Sequence, residues 1–343
     1  MASLAAGYTG PPQLTLGRAF TEWTADPAMI ALVVVLGGCY LFAVRKVRRG
    51  GGQWGTGRVI AFCGLGLGFL VIATMSWVGV YQWVLFYPRA VQTVLLVLVV
   101  PLFLAMGRPV SLAIAALSVN GGRGGQRIEA AIGSRVAKVA MFPAFTTFAL
   151  VVVPFVMYFS PWYTASFQHT AVRVLTYLAL MAPGFAFFWT LLRVDPVPKQ
   201  YSYAVSMWIT GAEVIGDAIL GLAIIADNGL VGAAWYHALN RPWGPTLRTD
   251  QVIGGGVLWV LGDIVGLPFL AAQLIQLMRE DESEAVRIDA ELDARDAQRA
   301  ARESAGSEQA AAGVAAAAGE EPDGDRPWWE SDERITGRFR PAG

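Results

Sequence analysis

Seven long apolar runs govern what this chain can fold into: residues 28–45, 58–78, 90–106, 139–158, 171–191, 203–226 and 251–278. A helix needs roughly 20 apolar residues to cross the hydrocarbon core of a bilayer. Lipid offers no hydrogen bonds, so a crossing segment must satisfy its own backbone, and a helix does so internally. The runs predict an all-α polytopic membrane protein, a seven-transmembrane-helix bundle. The third run is short but dense in Leu and Val from Thr93 to Leu104. Charged residues make up 15% of the chain, against roughly 25% in soluble globular proteins. That excludes a typical soluble enzyme. Two cysteines exclude a disulfide scaffold. Basic residues are scattered between apolar runs and form no stripe, so the expected partner is the lipid bilayer and not nucleic acid.

Pro101, Pro143, Pro154, Pro183 and Pro268 fall inside the runs. Such breaks are tolerated where neighbouring helices satisfy the freed carbonyls, which predicts a packed bundle. Gly64, Gly66 and Gly68, and Gly254, Gly255 and Gly256, allow close helix approach.

Charge divides the chain. Residues 279–343 hold 9 Arg against 17 Asp or Glu, leaving 17 Lys or Arg and 9 acids before them. The expected organisation is an extracytoplasmic segment over 1–27 and a transmembrane domain over 28–278. A charged cytoplasmic helix follows over 279–303, then a flexible acidic tail over 304–343 ending in RPWWESDERITGRFR. Twelve basic residues fall in the connections on one side and five on the other. The positive-inside rule then places the N-terminus outside and the C-terminus in the cytoplasm. The first 27 residues lack a basic start and a small-residue cleavage site, so no cleaved signal peptide is expected in this cell-membrane protein.

Charges inside the apolar runs carry the functional information. Glu213 and Asp217 are four residues apart and share a helix face, and Asp263 sits near the middle of the last run. A carboxylate at the bilayer centre costs at least ~2.5 kcal/mol, so these acids should face the bundle interior. Arg89 and Arg173 are the expected counter-ions. One reading is a structural ion-pair network, the other a polar cavity that holds or passes an ion. His169 and His237 are the two histidines, both on the outer side with Met75. Soft Met and His donors suit Cu(I) and carboxylates suit it poorly. His169, Met75 and Asp217 are therefore the candidate metal residues, against a plain reading of His169 as a hydrogen-bonding interfacial group. Cys39 and Cys63 read as small packing residues, with a thiol pair for a metal as the alternative. No CxxC, Walker A or HExxH pattern occurs, and no nucleophile–base pair suggests an enzyme.

Several segments, in order, resemble the CtaG family of cytochrome c oxidase assembly factors. They are EWTADPAMIALVVVLGGCYLFAVRKVRRGGGQWGTGRVIAF, VQTVLLVLVVPLFLAMGRPVSLA, PGFAFFWTLLRVDPVP and TDQVIGGGVLWVLGDIVGLP. The charged REDESEAVRIDAELDARD resembles the tail of actinobacterial-type members. Asp250 and Gln251 stand at the family's Asp-Gln, and Asp263 at its acid. The resemblance implies a non-catalytic role in maturing a haem–copper oxidase, with an oxidase subunit as partner and copper as the metal supported. Members usually carry several intramembrane histidines. Here Arg89, Thr93, Thr176, Tyr177, Ala179 and Asp217 stand in those regions. The alternative from the residues themselves is a copper or proton transporter using the intramembrane carboxylates.

Overall fold

The computed structural model describes residues 8–199 and 202–319, which form helices and turns with no strand. Six helices are long and apolar enough to cross a membrane, and one bent pair completes the seven expected spans. The first span is Pro27–Arg49, the second Thr56–Tyr81 and the third Phe86–Ser118. The fourth is broken: Pro143–Tyr158 and Trp162–Gln168 meet at 72°. The fifth is Thr170–Leu192, the sixth Tyr203–Ala226, and the seventh opens the long helix Leu247–Gly319.

Local chemistry explains where several spans begin and bend. Asp26 caps the first: its Oδ1 accepts from the amides of Ala28 at 3.1 Å and Met29 at 3.4 Å. Pro27 occupies the first helical position, where its missing N–H goes unused. In the third span, Pro101 has no N–H to offer Val97, four residues back. The backbone there forms a π-helical turn over Leu95–Val99. Gly184 of the fifth span lies against the Val97 carbonyl oxygen, which any Cβ at that position would overlap. The span also runs well past the expected end at 106. Arg108 takes a left-handed conformation, φ 53°, and restarts the helix at Pro109.

Small residues bring the sixth and seventh spans together. A Cβ on Gly221 would sit 2.6 Å from the Gly255 carbonyl oxygen, and one on Gly255 would sit 2.8 Å from that of Gly221. Gly66 similarly makes room for Leu104, whereas Gly68 and Gly256 face open space. At the opposite end of the first span the Gly-Trp turn folds onto Tyr40. The Tyr40 hydroxyl donates to the Gly107 carbonyl at 2.7 Å and accepts from Trp54 Nε1 at 3.2 Å. Its ring stacks on Phe62 with centroids 4.1 Å apart.

The chain divides into two units, Met1–Leu277 and Met278–Gly343. In the second, the described residues stay helical to Gly319, beyond the break expected at 304. Alanine accounts for 8 of residues 305–319 and has the highest helix propensity of any residue. Exposed pairs such as Arg299–Glu303 at 3.3 Å follow the i,i+4 spacing. The terminal RPWWESDERITGRFR lies outside the described residues.

Candidate functional site

The first unit holds a fully buried arginine. Arg89, in the first turns of the third span, is 1% exposed and has no acidic partner among the described residues. Neutral groups hold it instead. Its Nη1 donates to Gln82 Oε1 at 2.8 Å and to Gln92 Oε1 at 2.7 Å. Its Nη2 donates to Ser166 Oγ at 3.1 Å and approaches Met157 Sδ at 3.5 Å. Nε alone lacks a partner. The guanidinium lies 5.4 Å from the Phe167 ring and 5.9 Å from the Tyr163 ring, so ring quadrupoles share in neutralising it.

The acceptors are themselves anchored. Gln82 and Gln92 donate through Nε2 to the Tyr177 hydroxyl, at 2.9 and 3.3 Å, and Gln92 also to the Ala73 carbonyl at 2.8 Å. Thr93 donates to the Arg89 carbonyl at 3.0 Å and shares a 2.9 Å bond with Tyr158. Four spans thus converge on one guanidinium: the second through Ala73, whose carbonyl accepts from Gln92, the third, both arms of the fourth, and the fifth through Tyr177. A polar pocket beside this network is lined by Thr24, Asp26, Gln82, Trp83, Arg173 and Tyr177. Across it Arg173 pairs with Asp26 at 3.1 Å and stacks over Trp83 at 5.3 Å.

The three intramembrane acids form their own group. Glu213, 1% exposed, and Asp217 interact directly, with Asp263 in electrostatic range of both. Gly262 and Gly266 of the seventh span make room for them: an added Cβ would come within 2.7 Å of Asp217 Oδ2 and 3.3 Å of Glu213 Oε2. Glu213 Oε1 and Asp263 Oδ1 accept no hydrogen bond. The expected counter-ions are elsewhere. Arg173 is taken by Asp26, and Arg89 by glutamines and a serine, so the ion-pair network linking the third, fifth, sixth and seventh spans is not formed. The reason is position: both arginines sit near the Asp26 end of the bundle, where a capping acid and neutral acceptors are nearer. Between Arg89's network and the acids lies a cavity of about 10 Å³, lined by Thr93, Val97, Pro154, Asp217, Leu220 and Leu258. That is the lower limit for one water.

Asp250 and Gln251 have structural duties. Asp250, 1% exposed, accepts from the amides of Phe86 at 3.0 Å and Tyr87 at 3.2 Å, capping the third span from 164 residues away. A carboxylate there meets the positive end of the helix dipole. Arg241 pairs with it at 3.5 Å. Gln251 closes the loop after the sixth span, accepting from Val231 N at 2.8 Å and donating to the Ile224 and Gly229 carbonyls. Asp195 repeats the device at Pro109–Ser118, accepting from the amides of Val110 at 3.1 Å and Ser111 at 2.9 Å. Gln82, Gln92 and Tyr158 are not singled out by the sequence, and Asp195 only as the Asp-Pro of the family-like segment RVDPVP. Their signal is a polar residue at or inside an apolar run, which carries no information about its distant partner.

The candidate metal residues occupy different surroundings. Met75 is buried, its carbonyl accepting from Thr24 N at 2.8 Å. His169 is exposed and precedes the fifth span without capping it through its side chain. Asp217 lines the cavity beside Thr93. Cys39 is exposed and Cys63 half-buried on separate spans. Among the described residues no group of three or more His, Cys, Asp or Glu is placed to hold a metal ion. Glu213, Asp217 and Asp263 influence one another electrostatically but offer only hard oxygens, which suit Cu(I) poorly. Among the described residues, these donors do not fit a Cu(I) site.

These features define an all-α polytopic membrane protein whose buried polar groups chiefly cap spans and hold them together. The chain belongs to the cytochrome c oxidase caa3 assembly factor family, whose model matches residues 38–280. Similar chains include uncharacterized proteins of Mycobacterium bovis and Mycobacterium tuberculosis, each 29% identical over 291 residues. One from Mycobacterium leprae is 28% identical over the same length. In each case the match covers 84% of this chain and 44% of the relative, so the chain spans less than half the length of the relatives it matches. No solved structure matches it.

Proposed function

We propose that this chain acts in the cell membrane as a non-catalytic assembly factor for a haem–copper cytochrome c oxidase, binding an oxidase subunit while it matures. The proposal takes the N-terminus to be outside and the C-terminus in the cytoplasm, as the basic connections favour. Family membership supports the assembly role. The observation that carries it against transport is Arg89. The polar groups between the Asp26 pocket and Asp217 pass beside this guanidinium, a fixed positive charge within a tight network. A buried arginine of that kind opposes the passage of protons and metal cations. With no gathered soft donors among the described residues, the chain's contribution to copper loading is through the subunit it holds.

Proteoliposomes containing the full chain test this directly. Wild type should show Cu(I) and proton flux no greater than empty vesicles. Flux above that level, abolished by Asp217→Asn, would overturn the proposal in favour of a carboxylate-based transporter.

A further inference from the structure

At the end of the bundle opposite Asp26, the last turns of the first span carry four basic residues with two different fates. Arg48 folds back locally, donating from Nη2 to the Trp54 carbonyl at 2.9 Å. Arg45, Lys46 and Arg49 instead line a pocket of about 360 Å³ with Phe42, Gly50 and Val119. None of the three pairs with an acid among the described residues. The helix dipole favours basic groups in a last turn but does not occupy their N–H donors. Arg45 and Arg49 are one turn apart, and Lys46 lies between them with Phe42 one turn above it. Phe42 is 70% exposed and, with exposed Leu41, faces the hydrocarbon side of the ring of charge. Gly50 forms the floor against Val119, where a Cβ would come 3.0 Å from Val119 Cγ1.

Three unpaired cations at the boundary of an apolar span, beside an exposed aromatic wall, match one ligand chemistry: a phosphodiester with an acyl chain beside it. We propose that this pocket binds the headgroup of an anionic phospholipid. Arg45, Lys46 and Arg49 hold the phosphate and Phe42 packs along the first methylenes of the chain. The pocket faces the bilayer edge, so the lipid reaches it by lateral diffusion. The site is independent of the oxidase role.

The test is native mass spectrometry of the full chain released from micelles containing equal phosphatidylglycerol and phosphatidylcholine. Wild type should retain phosphatidylglycerol preferentially. The triple variant Arg45→Gln, Lys46→Gln, Arg49→Gln should bind it about 100-fold more weakly, about 1 kcal/mol for each basic side chain. Arg127→Gln, outside the pocket, should bind as wild type does. If the triple variant fails to fold, Phe42→Ser serves instead. It keeps all three cations and should weaken a long-chain lipid severalfold while leaving a short-chain analogue unaffected. Equal retention of lipid by wild type and variant would overturn the proposal. So would displacement of the lipid by millimolar inorganic phosphate, which would mark a site for free phosphate.

Discussion

Replacing Asp250 by Asn tests whether the family's Asp-Gln acts as a clasp. The substitution preserves shape and removes the charge. Asp250 presents one oxygen to Phe86 N and the other to Tyr87 N, and faces Arg241 at 3.5 Å. Asparagine keeps one acceptor and sets an NH₂ against the second amide, losing a charge-assisted bond of about 1.5–3 kcal/mol. It also leaves Arg241 without its acid in a place where the two side chains are 3% and 1% exposed. Removing one member of a buried pair costs about 3–5 kcal/mol, a range that already includes the lost bond. The expected destabilisation of the full chain in mixed micelles is therefore about 3–5 kcal/mol. Unfolding can be followed through tryptophan fluorescence. Hydrogen exchange should quicken most at the amides of Phe86 and Tyr87. Adding Arg241→Gln should recover about 1–2 kcal/mol by removing the stranded charge. A loss below about 0.5 kcal/mol, or strict additivity with Arg241→Gln, would refute the clasp.

Arg89→Lys should destabilise the chain by about 3 kcal/mol, since three donors on a shorter head must replace four occupied contacts; wild-type thermal stability would contradict this. Gly184→Val should prevent the fifth span from seating on the Val97 carbonyl, and size-exclusion profiles in detergent should shift to aggregate. Asp195→Ala should release the amides of Val110 and Ser111 and lower stability by about 1–2 kcal/mol, read from the same fluorescence transition. Asp217→Asn should leave oxidase yield in complemented cells within twofold of wild type, because the proposed role does not route a cation through that carboxyl.

Much of the architecture is legible from run length, because the bilayer dictates both helix length and internal hydrogen bonding. The third span exceeds its run because Arg108 and Pro109 restart the helix after a break, and hydropathy alone reads that break as an end. The acids Glu213, Asp217 and Asp263 stand out in sequence and do gather in space. Their partners are not readable. Charge sign suggests Arg89 and Arg173, but pairing follows proximity, and the capping acid Asp26 and the amides of Gln82 and Gln92 are closer. Asp250 is visible as an acid beside a span, yet its duty depends on amides 164 residues earlier, which no local pattern encodes. Gln251 is visible beside it in the Asp-Gln, but its duty is hidden for the same reason: its partners are backbone groups of Ile224, Gly229 and Val231.

The most direct test of the assembly role is the yield and copper-to-haem ratio of cytochrome c oxidase purified from cells lacking this chain. The account predicts a reduced yield, with a normal copper-to-haem ratio in the enzyme that remains. Normal yield with a normal ratio would contradict the assembly role itself. A fall in copper with haem retained would instead make the chain a participant in copper insertion, against the dispersed donors seen here.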